Sequence, residues 1–164
     1  MTWGVENSDN VLPEHGFGNL SCVTSPFSLG IMGASSYEVW RRAAQCISSI
    51  EHLYLDTITG LRTLPEAIQC FSSLRTLSID DCGDLETLPE WLGDLTSLRE
   101  IHISRCQRLC SLPESIQRLT ELKKLWITDC PALSEKCQGE DSHKIAHISE
   151  IKFEELKPDT STSC

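Results

Sequence analysis

The sequence has no apolar run long enough to cross a bilayer, and it has few basic residues. A transmembrane helix needs about 20 predominantly apolar residues, and no such stretch occurs among the 164 residues. Lysine and arginine number 14 against 24 acidic residues, a formal net charge of −10. This negative field repels phosphate backbones and anionic lipid. It therefore disfavours nucleic-acid binding or membrane-surface binding as the main function.

The first ten residues lack the basic start and apolar core of a secretion signal. We therefore expect the protein to stay in the cytoplasm. There the nine cysteines are expected to be thiols, because a reducing compartment does not sustain a disulfide framework. One pair, Cys106 and Cys110, has three intervening residues, whereas thioredoxin-type redox motifs have two. The pair is not predicted to be a redox site.

Signatures of catalysis and cofactor binding are also missing. The sequence contains no G-x-x-x-x-G-K-[ST] phosphate loop and no G-x-S-x-G nucleophile elbow. The carboxylates of Asp80, Asp81 and Asp84 are not set in a glycine-punctuated calcium loop. The sequence predicts a protein that is not an enzyme and has no cofactor.

One cluster resembles a metal site. Cys130, Cys137, His143 and His147 read C-x6-C-x5-H-x3-H, and the histidine half has the spacing of zinc ligands. The two cysteines are farther apart than those of a zinc knuckle, and Cys130 also belongs to a repeating column of residues. We therefore predict no metal site.

What the sequence does have is a 24-residue repeat. Cuts at Ile50, Leu74, Leu98 and Leu122 align three full units and half of a fourth without a gap. A fixed period of this length indicates a solenoid. Apolar residues or cysteine hold positions 4, 6 and 9: Leu53, Leu77, Ile101, Leu125; Leu55, Ile79, Ile103, Ile127; and Ile58, Cys82, Cys106, Cys130.

The pattern within a unit predicts its structure. Alternating apolar residues around positions 4 to 6 predict a short strand with one buried face. A small side chain at position 9 suits a turn whose backbone groups need hydrogen-bond partners. The L-P-E triplets at Leu64, Leu88 and Leu112 place a proline and then an acidic residue at the start of a short helix. Since one unit cannot bury its own apolar face, the units are expected to stack.

The pattern L-x-x-L-x-L-x-x-C-x-x-L-x-x-L-P resembles leucine-rich repeats. The L-P-E column, the cysteine column and the ending from Cys130 to Ile148 make it more similar still to the C-terminal repeats of plant intracellular nucleotide-binding leucine-rich-repeat immune receptors of the coiled-coil class. The resemblance covers roughly Gln45 to Ile151. It implies an α/β solenoid, with a curved parallel sheet on the concave side and short helices and turns on the convex side.

The repeats divide the chain into segments. We expect an irregular leader over 1–36 and a leucine-rich-repeat domain over 37–153, followed by a polar tail over 154–164. Within the domain, 37–49 reads as the tail of a degenerate repeat and 148–153 as a closing strand. The full repeats are 50–73, 74–97 and 98–121, with a half repeat at 122–147.

The resemblance implies a non-enzymatic protein-recognition module of the defence response. Its expected partners are a pathogen effector, a guarded host protein or the parent receptor's own nucleotide-binding domain. A free-standing scaffold or a substrate-recruiting subunit of a ubiquitin ligase is the alternative, although such repeats lack the L-P-E column. Strand position 5 faces outward with two aromatic side chains and an imidazole, types suited to binding. The predicted partner-binding residues on the concave face are Tyr54, His102, Trp126, Asp80, Asp81 and Arg105.

Overall fold

The computed structural model describes residues 2–6, 27–32 and 50–155. These residues form one seven-stranded sheet in which every neighbouring pair is parallel and the strands follow chain order. The fold is therefore an α/β leucine-rich-repeat solenoid, as predicted. The strands are β1 (Thr2–Glu6), β2 (Phe27–Met32), β3 (Ile50–Asp56), β4 (Thr76–Asp80), β5 (Glu100–Ser104), β6 (Lys124–Thr128) and β7 (Glu150–Glu154).

The register of the sheet follows from the repeat length. Leu53 pairs with Leu77, which lies 24 residues on, and Leu77 pairs with Ile101. Each repeat position therefore stands beside itself in the next strand. Positions 4 and 6 are fully buried in every strand from β3 to β6, so the predicted alternation of buried and outward residues is confirmed. The outward positions 3, 5 and 7 form the concave face.

Each strand from β3 to β6 is followed by a residue with left-handed backbone geometry at position 8. Its N–H group donates to the position-7 carbonyl of the next repeat, as from Asp81 to Ser104 at 3.0 Å. The chain turns inward at position 9, which is Ile58 after β3 and a cysteine after the other three strands. Cys106 Sγ lies 3.3 Å from the Ser104 carbonyl that it donates to. The prediction that this column satisfies backbone groups of the turn is confirmed. The left-handed residues are Thr57, Asp81, Arg105 and Asp129, with φ of 54°, 49°, 53° and 51°.

The opposite face carries a 3-10 helix in each full repeat, at Glu66–Cys70, Glu90–Asp94 and Glu114–Arg118. The proline of each L-P-E triplet has extended backbone and precedes the helix. It is therefore the N-cap, and not the first helical residue that the sequence suggested. The acidic residue opens the first turn as expected.

The half repeat ends differently from the others. Helix α1 (Pro131–Gln138) and the short helix α2 (Ser142–Ile145) replace the 3-10 turn. They bury Leu133, Cys137 and Ile145 against the core. No helix in 2–6, 27–32 or 50–155 has both the length and the apolar character needed to cross a membrane.

Two strands lie inside the segment that we expected to be an irregular leader. Strand β2 pairs Leu29 with Leu53 and Ile31 with Leu55, again at a spacing of 24, and both residues are buried. Strand β1 extends the sheet by one more strand. This corrects the prediction for residues 2–6 and 27–32: a strand needs only two buried alternating residues, which glycine and serine neighbours obscured. The rest of the predicted leader, the degenerate repeat at 37–49 and the tail from 156 onward lie outside the described residues.

Candidate functional site

A single column of side chains runs across the concave face. At strand position 5 the sheet sets in order Gly30, Tyr54, Ser78, His102, Trp126 and Lys152. Tyr54 stands between two small residues and is 43% exposed, more than any other large hydrophobic residue that the structure describes. Three of the predicted partner-binding residues, Tyr54, His102 and Trp126, therefore share one line, with Ser78 between the first two.

Trp126 is packed by its neighbours in this column. The His102 ring meets it edge-on, with centroids 4.6 Å apart and an interplanar angle of 67°. On the other side, Lys152 Nζ lies 4.4 Å from the indole centroid, and Lys124 Nζ lies 5.9 Å away. Cation–π and edge-to-face contacts of this kind hold an aromatic ring in place. Trp126 is thus half-buried, and Tyr54 is the most exposed aromatic side chain among the described residues of the face.

Ion pairs line the side of the face where the strands begin. Glu100 accepts from Lys124 Nζ at 3.0 Å, and Nε2 of His102 lies 3.7 Å from Glu100. Lys152 and Glu150 are 3.6 Å apart. The hydrogen bond from Lys124 lowers the pKa of the Glu100 carboxyl, and the same bond raises the pKa of Lys124. The positive and negative charges on this side are matched.

Asp80 and Arg105 of neighbouring repeats form one ion pair, with Arg105 Nη2 2.6 Å from Asp80 Oδ2. The contact uses a single oxygen and a single nitrogen. Asp80 Oδ1 and Arg105 Nε have no hydrogen-bond partner among the described residues. A guanidinium and a carboxylate can form two parallel hydrogen bonds. This pair forms one of the two.

Four other carboxylates lie where the strands end, and we call them the acidic rim: Asp56, Asp81, Asp129 and Glu154. None of the four pairs with a cation within 2–6, 27–32 or 50–155. Asp81 and Asp129 sit at left-handed positions whose N–H groups bond to the next strand, so their backbones are fixed. The concave face is thus charge-matched on one side and negative on the other.

The structure therefore divides the six predicted residues into three groups. Tyr54, His102 and Trp126 form the central column, Asp80 and Arg105 neutralise each other, and Asp81 belongs to the acidic rim. Nothing in the geometry tests whether they bind a partner, so this stays a prediction.

The cysteines and histidines of the possible zinc site have other contacts. Cys130 donates to the Thr128 carbonyl, and Cys137 is buried in α1. His143 Nδ1 lies 3.0 Å from the Glu140 carbonyl, and His147 Nε2 lies 3.2 Å from that of Leu119. The described part of the chain contains no group of three or more histidine, cysteine or acidic side chains able to hold a metal ion.

Burial also sets the chemistry of the thiols. It raises the pKa of Cys82 to about 11 and that of Cys137 to about 12, because desolvation disfavours the thiolate. Cys106 is buried whereas Cys110 is exposed. The two members of the C-x3-C pair therefore lie in different environments.

Sequence reasoning missed two contacts between repeats. The carboxylate of Glu90 accepts hydrogen bonds from the N–H groups of Glu114 and Ser115 at 3.1 and 2.9 Å. These donors open the next 3-10 helix, where backbone N–H groups lack partners within the helix. The hydrogen bond from Ser115 is the main reason that the pKa of Glu90 is lowered. The recurring glutamate of the L-P-E column was the available signal for such a contact.

The second missed contact fixes the end of the array. Lys144 is only 7% exposed, and its ammonium donates at 3.0 Å to the Leu112 carbonyl, Glu114 and Asp141. Its pKa is raised: burial alone would lower it, but the hydrogen bonds that the ammonium donates to Glu114 and Asp141 outweigh that effect. A lysine in a polar segment gave no sequence signal of burial.

Comparison with known proteins agrees with this geometry. The family model described as Leucine Rich Repeat matches residues 73–95 and 97–119, which nearly coincide with the second and third full repeats. No curated protein matches the chain. Leucine-rich repeats are therefore found in this chain. Such repeats imply a protein-interaction module, and the match indicates no catalytic family.

Proposed function

We propose that this chain is the effector-sensing or autoinhibitory repeat region of a plant immune receptor. It would bind its protein partner on the concave face without catalysing a reaction. The observation that carries the proposal is the central column, because Tyr54 presents a large exposed aromatic ring in line with the half-buried ring of Trp126. Tyrosine and tryptophan are enriched where binding energy is concentrated.

The finer assignment depends on the L-P-E column, the cysteine column and the ending of the repeat region, which resemble those of coiled-coil-class receptors. The partner would be a pathogen effector, a guarded host protein or the receptor's own nucleotide-binding domain. The proposed location is the cytoplasm. The cysteine column supports it, because thiols such as Cys106 act as hydrogen-bond donors in the turns and a reducing compartment preserves them.

Site-specific photo-cross-linking in plant cells tests recognition by the concave face. A photoreactive phenylalanine analogue replaces Tyr54 on the concave face or, as the matched control, Gln117 in the exposed 3-10 helix on the opposite face. We expect a specific adduct from position 54 and none of the same mass from position 117. Excess wild-type chain should suppress that adduct, whereas the Tyr54→Ala chain should not.

The same adduct from both positions would contradict the proposal, as would equal suppression by the wild-type and Tyr54→Ala chains. The immune-receptor assignment has its own test, identification of the adduct by mass spectrometry. An effector, a defence-related host protein or a nucleotide-binding receptor domain supports it. An adduct with only a ubiquitin-ligase subunit would favour the alternative assignment.

A further inference from the structure

The two sides of the concave face differ in charge, and this difference bears on the partner. Where the strands begin, Glu100 is matched by Lys124 and Glu150 by Lys152. Where they end, the carboxylates of the acidic rim have no matching cation within the described residues, and the only arginine there is held by Asp80. A partner on this face therefore gains affinity from positive charge beside the acidic rim only. Negative charge on the partner at that place would be repelled by the rim carboxylates.

The spacing of the groups also limits the shape of the partner. Neighbouring strands lie about 4.8 Å apart, so Tyr54 and Trp126, three strands apart, are separated by about 14 Å. The acidic rim from Asp56 to Glu154 spans four strand intervals, about 19 Å. An α-helix advances 5.4 Å per turn, so successive turns of a helix lying across the strands would meet successive repeats. About ten to thirteen residues would cover the column and the rim.

From these observations we infer that the concave face binds a basic amphipathic helix. The helix lies across the strands, with an apolar stripe on the column from Tyr54 to Trp126 and lysine or arginine residues along the acidic rim. The inference rests on the proposed function, since it names the partner class of the same face. The exposed ring of Tyr54, with Gly30 and Ser78 beside it, gives the apolar stripe room to pack on both faces of the ring.

Three synthetic peptides test the inference. The first is an 18-residue amphipathic helix with a leucine stripe and an adjacent lysine stripe. The second carries glutamate in place of lysine, and the third has the composition of the first in an order without stripes. Binding of each fluorescein-labelled peptide to the full chain is measured by fluorescence anisotropy at about 150 mM salt, where exposed charges are screened beyond about 8 Å.

Two variants separate the acidic rim from net charge. The rim variant is Asp56→Asn/Asp81→Asn/Asp129→Asn, in which asparagine tolerates the left-handed geometry of positions 81 and 129. The matched control, Glu66→Gln/Glu121→Gln/Glu135→Gln, removes three exposed carboxylates outside the concave face. Circular dichroism verifies that both are folded. An exposed ion pair contributes about two- to threefold in affinity, so the rim variant should bind the lysine peptide about tenfold more weakly and the control should bind it normally.

The result expected is tight binding of the lysine peptide alone, weakened by the rim variant and by Tyr54→Ala. Equal binding of wild type and rim variant, equal binding of the lysine and glutamate peptides, or no binding of the lysine peptide would each overturn the inference. If the cross-link at position 54 is specific while the lysine peptide fails, only the partner class is wrong. If the cross-link test also fails, the proposed function is wrong as well.

Discussion

The buried lysine near the end of the array gives the sharpest test of how the repeats are held together. Lys144 has 9% of its side chain exposed and Asp141 has 8%. Replacing Lys144 by Met keeps a long unbranched side chain, one atom shorter, but removes the charge and all three hydrogen bonds. Asp141, whose Oδ2 already has no partner among the described residues, is then left as an uncompensated buried carboxylate.

The magnitude follows from the environment of each partner. Removing one member of a buried ion pair costs about 3–5 kcal/mol, whereas Glu114, with 63% of its side chain exposed, adds little. We expect Lys144→Met to lower the free energy of unfolding by about 3 kcal/mol, measured by urea denaturation followed by far-ultraviolet circular dichroism.

A double variant checks the reasoning. In Asp141→Asn/Lys144→Met no buried carboxylate is left unpaired, so the ion-pair loss disappears. The Leu112 carbonyl still loses its donor, so a smaller loss of about 1 kcal/mol should remain. Two results would refute the argument. One is a free energy of unfolding for Lys144→Met that lies within about 0.5 kcal/mol of wild type, the range of ordinary surface substitutions. The other is a double variant that loses as much stability as the single one.

Three further predictions follow from individual contacts. A Cβ at Gly93 would lie 2.6 Å from a side-chain atom of the next repeat, whereas one at Gly83 meets nothing within 4 Å. Gly93→Ala should therefore lower the free energy of unfolding, measured by urea denaturation, by about 1–3 kcal/mol. Gly83→Ala should lower it by under about 0.5 kcal/mol, and equal losses for the two variants would contradict this packing. Thiol reagent should modify Cys110 in the folded chain and Cys106 only after unfolding, as read by peptide mass spectrometry; early labelling of Cys106 would be contrary evidence. The pKa of Glu90 is lowered in the folded state. The contribution of Glu90 to folding stability is therefore fully present above the unfolded-state pKa of about 4.3, and it is lost as the pH falls through the folded-state pKa. Denaturation at pH 7 and pH 3 should show Glu90→Gln costing more stability at the higher pH than at the lower, and equal losses at both would exclude this role.

The architecture could be predicted because a solenoid repeats one local pattern. Once 24 residues return the chain to the same position, the register of Leu53 on Leu77 and of Leu77 on Ile101 is determined. The cysteine column was equally readable, since a small side chain able to bond backbone groups suits a buried turn, although Ile58 fills the same position in the first full repeat.

The structural features that the sequence analysis did not predict depend on contacts that the repeat does not specify. Leu29 and Ile31 obey the period, but a single pair of apolar residues among glycine and serine is a weak signal by itself. Lys144 is buried because α1 and α2 replace the regular turn, and its partner Glu114 lies 30 positions earlier. The pairing of Asp80 with Arg105 depends on side-chain geometry across two strands, so the sequence showed both charges but not that they cancel.

The most direct test of recognition by the concave face is an affinity comparison with the partner that cross-links at position 54. Isothermal titration calorimetry would compare wild type with Tyr54→Ala and with Gln117→Ala, two exposed positions on opposite faces. Recognition through the concave face predicts a loss of about tenfold or more for Tyr54→Ala and no change for Gln117→Ala. Unchanged affinity for Tyr54→Ala together with a loss for Gln117→Ala would place recognition on the other face and contradict the account.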